Sequence, residues 1–332
     1  MKGSYDHVLS FAILHPWSVL PEMLSVIAGI LAHRIAGLDL DQATIEAALV
    51  NRKNLPQPRV GSVAVIPVYG LLAPRMNLFS SMSGGTSYEQ LTGQLREAVA
   101  DPAVRNIVLD VNSPGGSVAG NPEFAAEVLK ARAKKPVIAV ANYQMGSAAY
   151  QLSAAATEIV ASTSAHVGGI GTYAMHDDLS AQLKQLGVKR TYISAGTGKV
   201  DGNDSEPLSL EARARMDGLV NQAFDQFVAT VVKGRGAGMT ADRVKHEWQA
   251  HVYGAAEAKA IGMIDRIATL DDTLQRLLTD SPHHADHHAA HLLLDTTIAA
   301  TLQEPSPATS QEPRSDAQWQ NAATRALLEL DL

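Results

Sequence analysis

Three short apolar runs, each linked to the next by a helix-forming segment, constrain the fold of this 332-residue chain more than any other feature. The runs lie at residues 62–70, 106–111 and 136–141, and the helical segments at about 88–100, 117–133 and 148–156. Strands that alternate with helices form βαβ units and a parallel sheet, which places the chain in the α/β class. Because such sheets carry their binding groups at the carboxyl ends of the strands, we expect a functional site in the turns after residues 111 and 141.

A serine among small residues follows the third run, in the segment Gly146-Ser147-Ala148-Ala149. The alanines and leucine after it predict a helix, so Ser147 is expected at a strand-to-helix turn. The unpaired amides at the start of that helix would face the hydroxyl, as a nucleophile with an oxyanion hole requires. The alternative is a close contact between helix and sheet, for which small residues are equally suited.

A glycine pair follows the second run, in Asn112-Ser113-Pro114-Gly115-Gly116-Ser117. A glycine there can present a bare amide toward the end of the neighbouring strand, next to the amide of Ala148. Two such donors near a nucleophile are what an acyl transition state needs to stabilise its oxyanion. A glycine pair after a strand is more often an ordinary turn, so its role depends on whether Ser147 has a base.

Two residues are candidates for that base. Lys199 lies in a loop with Gly196 and Gly198 that follows an expected strand at 190–193, and it could accept a proton near pH 7 only after removal from water. His166 has a more suitable intrinsic pKa, but no carboxylate close in sequence would orient it. The chemistry of the two side chains does not decide which of them is the base. The more common alternatives are that Lys199 is a solvated surface residue and that His166 has no role beyond the end of a strand.

Composition excludes several classes of function. The chain has no cysteine, which rules out disulfides, thiol nucleophiles and thiolate metal sites. A net charge of −7 with dispersed basic residues argues against binding to nucleic acid. Five histidines between residues 283 and 291 could bind a metal on a helix, but in so polar a stretch a solvated linker is favoured. We therefore expect neither a metal nor another cofactor.

The chain divides into three parts on this evidence. Residues 1–58 predict a helical extension, in which the apolar stretch 17–32 contains Pro21 and Glu22 and is better suited to an amphipathic helix than to a membrane span or a secretory signal. Residues 59–276 form the main domain, with a glycine- and serine-rich loop at 80–87 that suits a mobile flap and a long helix from Ser209. Residues 277–332 predict a largely disordered tail that ends in a short helix at 317–330.

Four motifs in order resemble the signal peptide peptidase A family of serine peptidases. They lie at residues 109–118, 145–150, 194–199 and 252–265, and the resemblance extends from about residue 60 to 275. The family implies a ClpP/crotonase-like fold and a Ser/Lys dyad, with Ser147 as nucleophile and Lys199 as general base. It also implies that the amides of Gly116 and Ala148 form the oxyanion hole.

The segment 199–203 and the non-spanning amino-terminal extension narrow the resemblance to the head-maturation proteases of lambda-type tailed phages. One position departs from the family. Relatives usually carry a serine where this chain has Gly169, so a hydroxyl that could hold the lysine amine is missing. His166, three residues earlier, therefore remains an alternative base.

The resemblance leads us to expect a serine endopeptidase that processes scaffold, portal or coat proteins during phage or prophage head assembly. It implies a homo-oligomer without a stable membrane span, in the bacterial cytoplasm or inside a procapsid. A cellular peptidase for signal peptides or membrane proteins is the nearest enzymatic alternative. From another class, a non-catalytic capsid assembly scaffold would explain the glycine at position 169.

Overall fold

A parallel sheet dominates the computed structural model, which describes residues 16–20, 59–75 and 85–279. The strands are β1 (Trp17–Val19), β2 (Arg59–Val60), β3 (Val63–Tyr69), β4 (Leu72–Ala73), β5 (Thr86–Ser87), β6 (Asn106–Ser113), β7 (Gly115–Ser117), β8 (Val137–Gly146), β9 (Glu158–Ala161), β10 (His166–Gly168), β11 (Val252–Gly254) and β12 (Arg266–Ile267). The helices are α1 (Tyr88–Ala100), α2 (Asn121–Arg132), α3 (Ala148–Ala154), α4 (Ser180–Gln185), α5 (Leu210–Arg235), α6 (Ala255–Ala260) and α7 (Leu270–Thr279), with a π-helix at Arg243–Trp248.

The main sheet has the order β11-β10-β8-β6-β3-β2, and its central strands β3, β6, β8 and β10 are parallel. Strand β8 changes partner along its length, pairing with β9 over Ile138–Ala141 and with β10 over Gln144–Gly146. A smaller sheet has the order β1-β7-β4-β5. The α/β class, with parallel strands and helical crossovers, is therefore confirmed.

Helices cover both faces of the main sheet. Leu91, Phe124 and Phe227, from α1, α2 and α5, lie in the larger core with one face of the strands. On the other face Leu277 of α7 packs in a smaller core with Val108 and Val140. Central strands buried on both faces explain why their sequences are continuous apolar runs and not alternating ones.

Local sequence signals account for the ends of α5 and for the position of Pro67. Helix α5 begins after Ser209, whose side chain accepts a hydrogen bond from Ala212 N–H, and ends at Gly236. Pro67 lies in β3 beyond the two residues that pair with β2. The absence of an N–H at Pro67 therefore removes no hydrogen bond between β3 and β2. No helix in the described ranges is long and apolar enough to cross a membrane.

Two predictions of local structure are wrong. Residues 17–19, expected at the start of a helix, form β1, because their backbone pairs with β7 and with Tyr173. Residues 190–193, expected as a strand, are irregular and exposed, with Ile193 99% exposed, so their β propensity finds no strand partner in the described part of the chain. The rest of the predicted helical extension, most of the 80–87 loop and the carboxyl-terminal tail beyond residue 279 lie outside the described residues.

The late motif at 252–265 ends in an ion pair that ties the sheet to α5. Both carboxylate oxygens of Asp265 accept hydrogen bonds from Arg235, at 2.7 and 2.8 Å, and Oδ2 also accepts one from Ile159 N–H at 2.7 Å. Partial burial alone would raise the pKa of Asp265, but these hydrogen bonds outweigh it and hold the pKa below its ordinary value.

We expect Asp265→Asn to lower the free energy of unfolding at pH 7 by about 1 kcal/mol, a figure reduced for solvent screening because the Asp265 side chain is 39% exposed. A carboxyl with a depressed folded pKa stabilises the fold above its unfolded pKa of about 3.9 and loses that contribution as pH falls through the folded pKa. The difference between wild type and variant should therefore shrink below about pH 4. Urea unfolding at pH 7 and pH 3 measures it, with Asp217→Asn, which disrupts an exposed ion pair on α5, as the control. An equal loss at both pH values would contradict this account.

Candidate active site

Ser147 lies at the turn between β8 and α3, as predicted, and its backbone is strained. Its φ of 50° and ψ of −115° are sparsely populated by residues with a side chain. The Ser147 N–H donates to Gly168 O at 2.7 Å, and the carbonyl accepts the first bond of α3 from Gln151 N–H at 3.0 Å. The turn is therefore held from both sides, and strained turns of this kind are concentrated at functional sites.

The residue after Ser147 is fixed by a neighbouring helix. Asn121, the first residue of α2, is fully buried, and its side-chain amide donates to Ala148 O at 2.8 Å. Ala148 is also fully buried. This contact holds the peptide group between Ala148 and Ala149 and so contributes to fixing the start of α3 beside Ser147.

Strand β7 brings the glycine pair to the same place. The Gly115 N–H donates to Ser113 Oγ at 3.1 Å, and Ser113 Oγ donates to Gly70 O at 2.7 Å, so the Gly115 amide is already committed. A Cβ added at Gly115, where φ is 104°, would lie only 3.0 Å from Ala148 N. Position 115 therefore requires glycine, and the turn at this residue brings β7 against the first residue of α3.

Gly116 is equally constrained. A Cβ there would lie 2.0 Å from Leu72 O in β4, so only glycine allows the two strands to approach this closely. On its other edge Gly116 pairs with Ser18 of β1. Gly116 therefore lies between β4 and β1, next to the Gly115 turn that approaches Ala148.

The Ser147 hydroxyl contacts a backbone carbonyl and no base. It donates to Gly171 O at 3.4 Å, and in the described part of the chain no hydrogen bond joins it to Lys199 or His166. A Cβ at Gly169 would lie 3.7 Å from Ser147 Cβ, which places this glycine directly beside Ser147. The position at which the family resemblance implies a serine is thus adjacent to Ser147.

Lys199 lies in an exposed turn apart from these residues. Gly196 and Gly198 have φ values of 95° and 79°, and the Lys199 N–H donates to Gly196 O at 3.2 Å. The Lys199 side chain is exposed and forms no hydrogen bond or ion pair with the residues that the structure describes. A single copy of the chain therefore leaves the predicted base in water.

His166 is also exposed, at the start of β10. Its Cα pairs with Gln144, and it precedes Gly168, the acceptor for Ser147 N–H, by two residues or about 7 Å of strand. A second histidine, His251, contributes its backbone: its carbonyl accepts a bond from Gly169 N–H at 2.8 Å. Sequence reasoning missed this contact, because the signal for it is a strand pairing and not a motif.

In the described part of the chain, the one buried carboxylate near these strand ends is already hydrogen-bonded. Asp110 of β6 is 4% exposed and accepts hydrogen bonds from Tyr69 Oη and from Asn142 Nδ2. Burial raises the pKa of Asp110, and the two hydrogen bonds oppose that shift. Among the described residues no group of three or more His, Asp or Glu side chains is arranged to bind a metal ion.

The amino-terminal segment 16–20 also contributes to the site, and this was not predicted. Strand β1 pairs antiparallel with β7, and the Leu20 side chain lies next to Gly146 and Gly169. The sequence Pro16-Trp17-Ser18-Val19-Leu20-Pro21 carries a usable signal, because prolines disfavour a helix and tryptophan and valine favour extended backbone.

Comparison with known protein families gives a match in the segment that contains the candidate catalytic residues. Residues 130–282, which include Ser147, Lys199 and the late motif, match the model described as peptidase family S49. This part of the chain is similar to peptidase family S49. The resemblance to a serine peptidase family that the four motifs indicate is thereby confirmed.

Individual relatives of the S49 domain include phage and bacterial proteins. The chain is 32% identical over 220 residues to the head-tail preconnector protein GP5 of Enterobacteria phage P21, covering 66% of this chain and 43% of that one. It is 32% identical to the capsid assembly protease C of Escherichia phage lambda, covering 65% and 48%, and 31% identical to protease 4 of Salmonella typhi, covering 67% and 35%. The chain thus spans less than half the length of each of these relatives.

The structure has a distant likeness to a ClpP protein. A point mutant of ClpP1 from Listeria monocytogenes matches with a TM-score of 0.40 and 14% identity, over 63% of this chain and 94% of that one.

We expect Ser147→Ala to lower peptide-bond cleavage by the S49 domain at least roughly 10³-fold, because no other hydroxyl occupies this turn. The fold should be retained, since alanine removes only a long hydrogen bond and leaves the backbone unchanged. Cleavage of fluorescein-labelled casein measures activity, and thermal unfolding is the control for structure. A variant that cleaves casein at the wild-type rate would show that Ser147 is not the nucleophile.

Proposed function

We propose that the chain is a serine endopeptidase in which Ser147 is the nucleophile and Lys199 the general base. The observation that carries the proposal is the strained Ser147 turn, with the amides of Ala148 and Gly116 near it. Ser147 Oγ attacks the carbonyl carbon of the scissile bond while its proton passes to Lys199 Nζ. The two amides stabilise the oxyanion, the protonated lysine returns the proton to the leaving amine, and water then hydrolyses the acyl-enzyme.

Lys199 can act in this way only if another surface covers it, because an exposed lysine is protonated at pH 7. The chain exposes an apolar face to which a neighbouring copy could bind. Large apolar side chains are exposed in the segment 186–193 and along α5: Leu186, Val188, Tyr192, Ile193, Leu210 and Leu219. We therefore propose a homo-oligomer in which a neighbouring copy covers this apolar face and removes Lys199 from water.

The substrates that we propose are scaffold, portal or coat proteins of a phage head, cleaved in the host cytoplasm or inside a procapsid. The similarity to capsid assembly protease C and to the head-tail preconnector protein supports this choice. Protease 4 of Salmonella typhi supports a second candidate, a cellular peptidase acting on signal peptides or membrane proteins. Incubating the purified protein with head proteins encoded beside its gene, and separately with a signal peptide, distinguishes the two through the fragments seen by mass spectrometry.

The identity of the base can be tested by comparing two variants. We expect Lys199→Ala to lower the single-turnover rate by roughly 10²–10⁴-fold, the usual contribution of a general base. His166→Ala should change the rate little, because His166 lies about two residues of strand from the Gly168 contact. The reverse ranking would assign the base to His166. If the wild-type protein cleaves neither casein nor the head proteins, the chain is better described as a non-catalytic assembly scaffold.

Assembly should control activity separately from folding. We expect specific activity to fall on dilution as the oligomer dissociates, while the circular dichroism spectrum stays unchanged. Sedimentation velocity at matched concentrations measures the fraction of oligomer. Ile193→Asp, in the exposed apolar face, should shift the midpoint of oligomer formation to higher protein concentration. Val60→Asp, an equally polar change at an exposed position in β2, is the control. A monomer with full specific activity would show that one chain desolvates Lys199 without a neighbour.

A further inference from the structure

The groove beside the nucleophile is occupied by a segment of the chain itself. Strand β1 lies between two backbone edges: it pairs with β7 on one side, and on the other Trp17 and Tyr173 exchange hydrogen bonds of 2.8 and 3.0 Å. Trp17, Ser18 and Val19 are 3%, 0% and 3% exposed. A segment distant in sequence from β7 is thus enclosed as an inserted strand.

The hydrogen bonds of β1 place one carbonyl at the candidate oxyanion hole. Leu20 N–H donates to Pro114 O at 3.0 Å, and Val118 N–H donates to Pro16 O at 3.5 Å. Bonded pairs recur at every second residue of an antiparallel ladder, so Ser18 and Gly116, midway between these two, form the next bonded pair. In such a pair the Gly116 N–H donates to Ser18 O.

The other donor is close to the same carbonyl. The Cβ position of Gly115 lies 2.2 Å from Ser18 O and 3.0 Å from Ala148 N, so the Ser18 carbonyl and the Ala148 amide border the same point. The side chains of Ser18 and Ser147 also share an acceptor, since both hydroxyls donate to Gly171 O, at 3.2 and 3.4 Å. The Ser18 peptide group therefore lies beside Ser147 in the position that a bound peptide would take.

The walls of the groove are suited to any extended peptide. Without β1, the amides of Gly116 and Val118, the carbonyl of Pro114 and both backbone groups of Tyr173 would lose these partners. Backbone groups arranged along two edges bind an extended peptide by strand addition, irrespective of its sequence. Specificity then comes from side-chain contacts such as that of Leu20 with Gly146 and Gly169.

We propose that residues 16–20 are a self-peptide that occupies the substrate groove of this chain and blocks it until a substrate or an assembly step displaces them. That the strand inhibits activity rests on the proposed peptidase function, whereas its occupancy of the groove does not. Ser147 Oγ donates to Gly171 O and is joined to no base in the described part of the chain, which is consistent with the Ser18–Val19 bond being held there intact.

A disulfide can lock this strand in place. Trp17 and Ser117 lie directly opposite each other between two bonded pairs, a position where Cα atoms are about 4.5 Å apart, within the range that a disulfide spans. The chain has no cysteine, so the pair Trp17→Cys and Ser117→Cys has no competing thiol. Each single variant is the matched control for the loss of its own side chain.

We expect the oxidised double variant to cleave labelled casein with a kcat/KM at least about tenfold below that of the same protein after reduction, because a tethered peptide competes at a high effective concentration. The single variants should not respond to the reductant. Val19→Asp, which puts a charge into the buried strand, should release β1 and raise kcat/KM above the wild-type value, whereas Val60→Asp should not. An oxidised variant as active as its reduced form would overturn the proposal.

A binding measurement separates this proposal from the peptidase assignment. In a Ser147→Ala background, a fluorescein-labelled peptide that copies residues 15–21 should bind the reduced double-cysteine protein and not the oxidised one, as seen by fluorescence anisotropy. If the peptide binds in this way but the wild-type protein does not cleave casein, the self-peptide proposal stands and the peptidase function is rejected. Equal binding in both redox states would reject the self-peptide, whatever the activity.

Discussion

The left-handed turn at Ser147 is the constraint on which the rest of the site depends. A serine at φ 50° is costly in isolation, and the surrounding structure holds it through Gly168 O on one side and the first bond of α3 on the other. Glycines surround this turn and allow close packing. A side chain at Gly115 would collide with the Ser18 carbonyl of β1, whereas one at Gly146 or Gly169 would crowd the Leu20 side chain.

The same requirement for close backbone approach extends beyond the turn. A Cβ at Gly116 would collide with β4, and one at Gly234 in α5 would lie 2.0 Å from Ala154 O at the end of α3. Helix α3 is thereby fixed at its start by Asn121 and at its end by α5. The position of Ser147 is therefore set in part by the contacts of α3 with two other helices, α2 and α5.

Much of this could be predicted from the sequence, because local signals and the fold agree. The apolar runs predict the parallel strands, Ser209 and Gly236 mark the ends of α5, and the small residues around Ser147 predict a strand-to-helix turn. Prediction failed where the partner is distant or absent. Residues 17–19 belong to a long apolar stretch that predicts a helix, but their backbone pairs with β7 as a strand. Residues 190–193 have the composition of a strand but pair with no other strand in the described part of the chain. The contact of His251 with Gly169 is likewise a pairing between segments far apart in the sequence, which no local pattern encodes.

The two mechanisms proposed to regulate this site, occupancy by β1 and covering of Lys199 by a neighbouring copy, depend differently on protein concentration. Strand β1 belongs to the chain whose groove it fills, so its occupancy is a first-order equilibrium that is independent of protein concentration. A contact that covers Lys199 from a neighbouring copy is second-order or higher and strengthens as copies accumulate. A protein built in this way would have little activity while newly made and dispersed, because β1 competes with every peptide it meets and Lys199 lacks a covering neighbour. Where copies accumulate beside a concentrated substrate, both restraints would be relieved together.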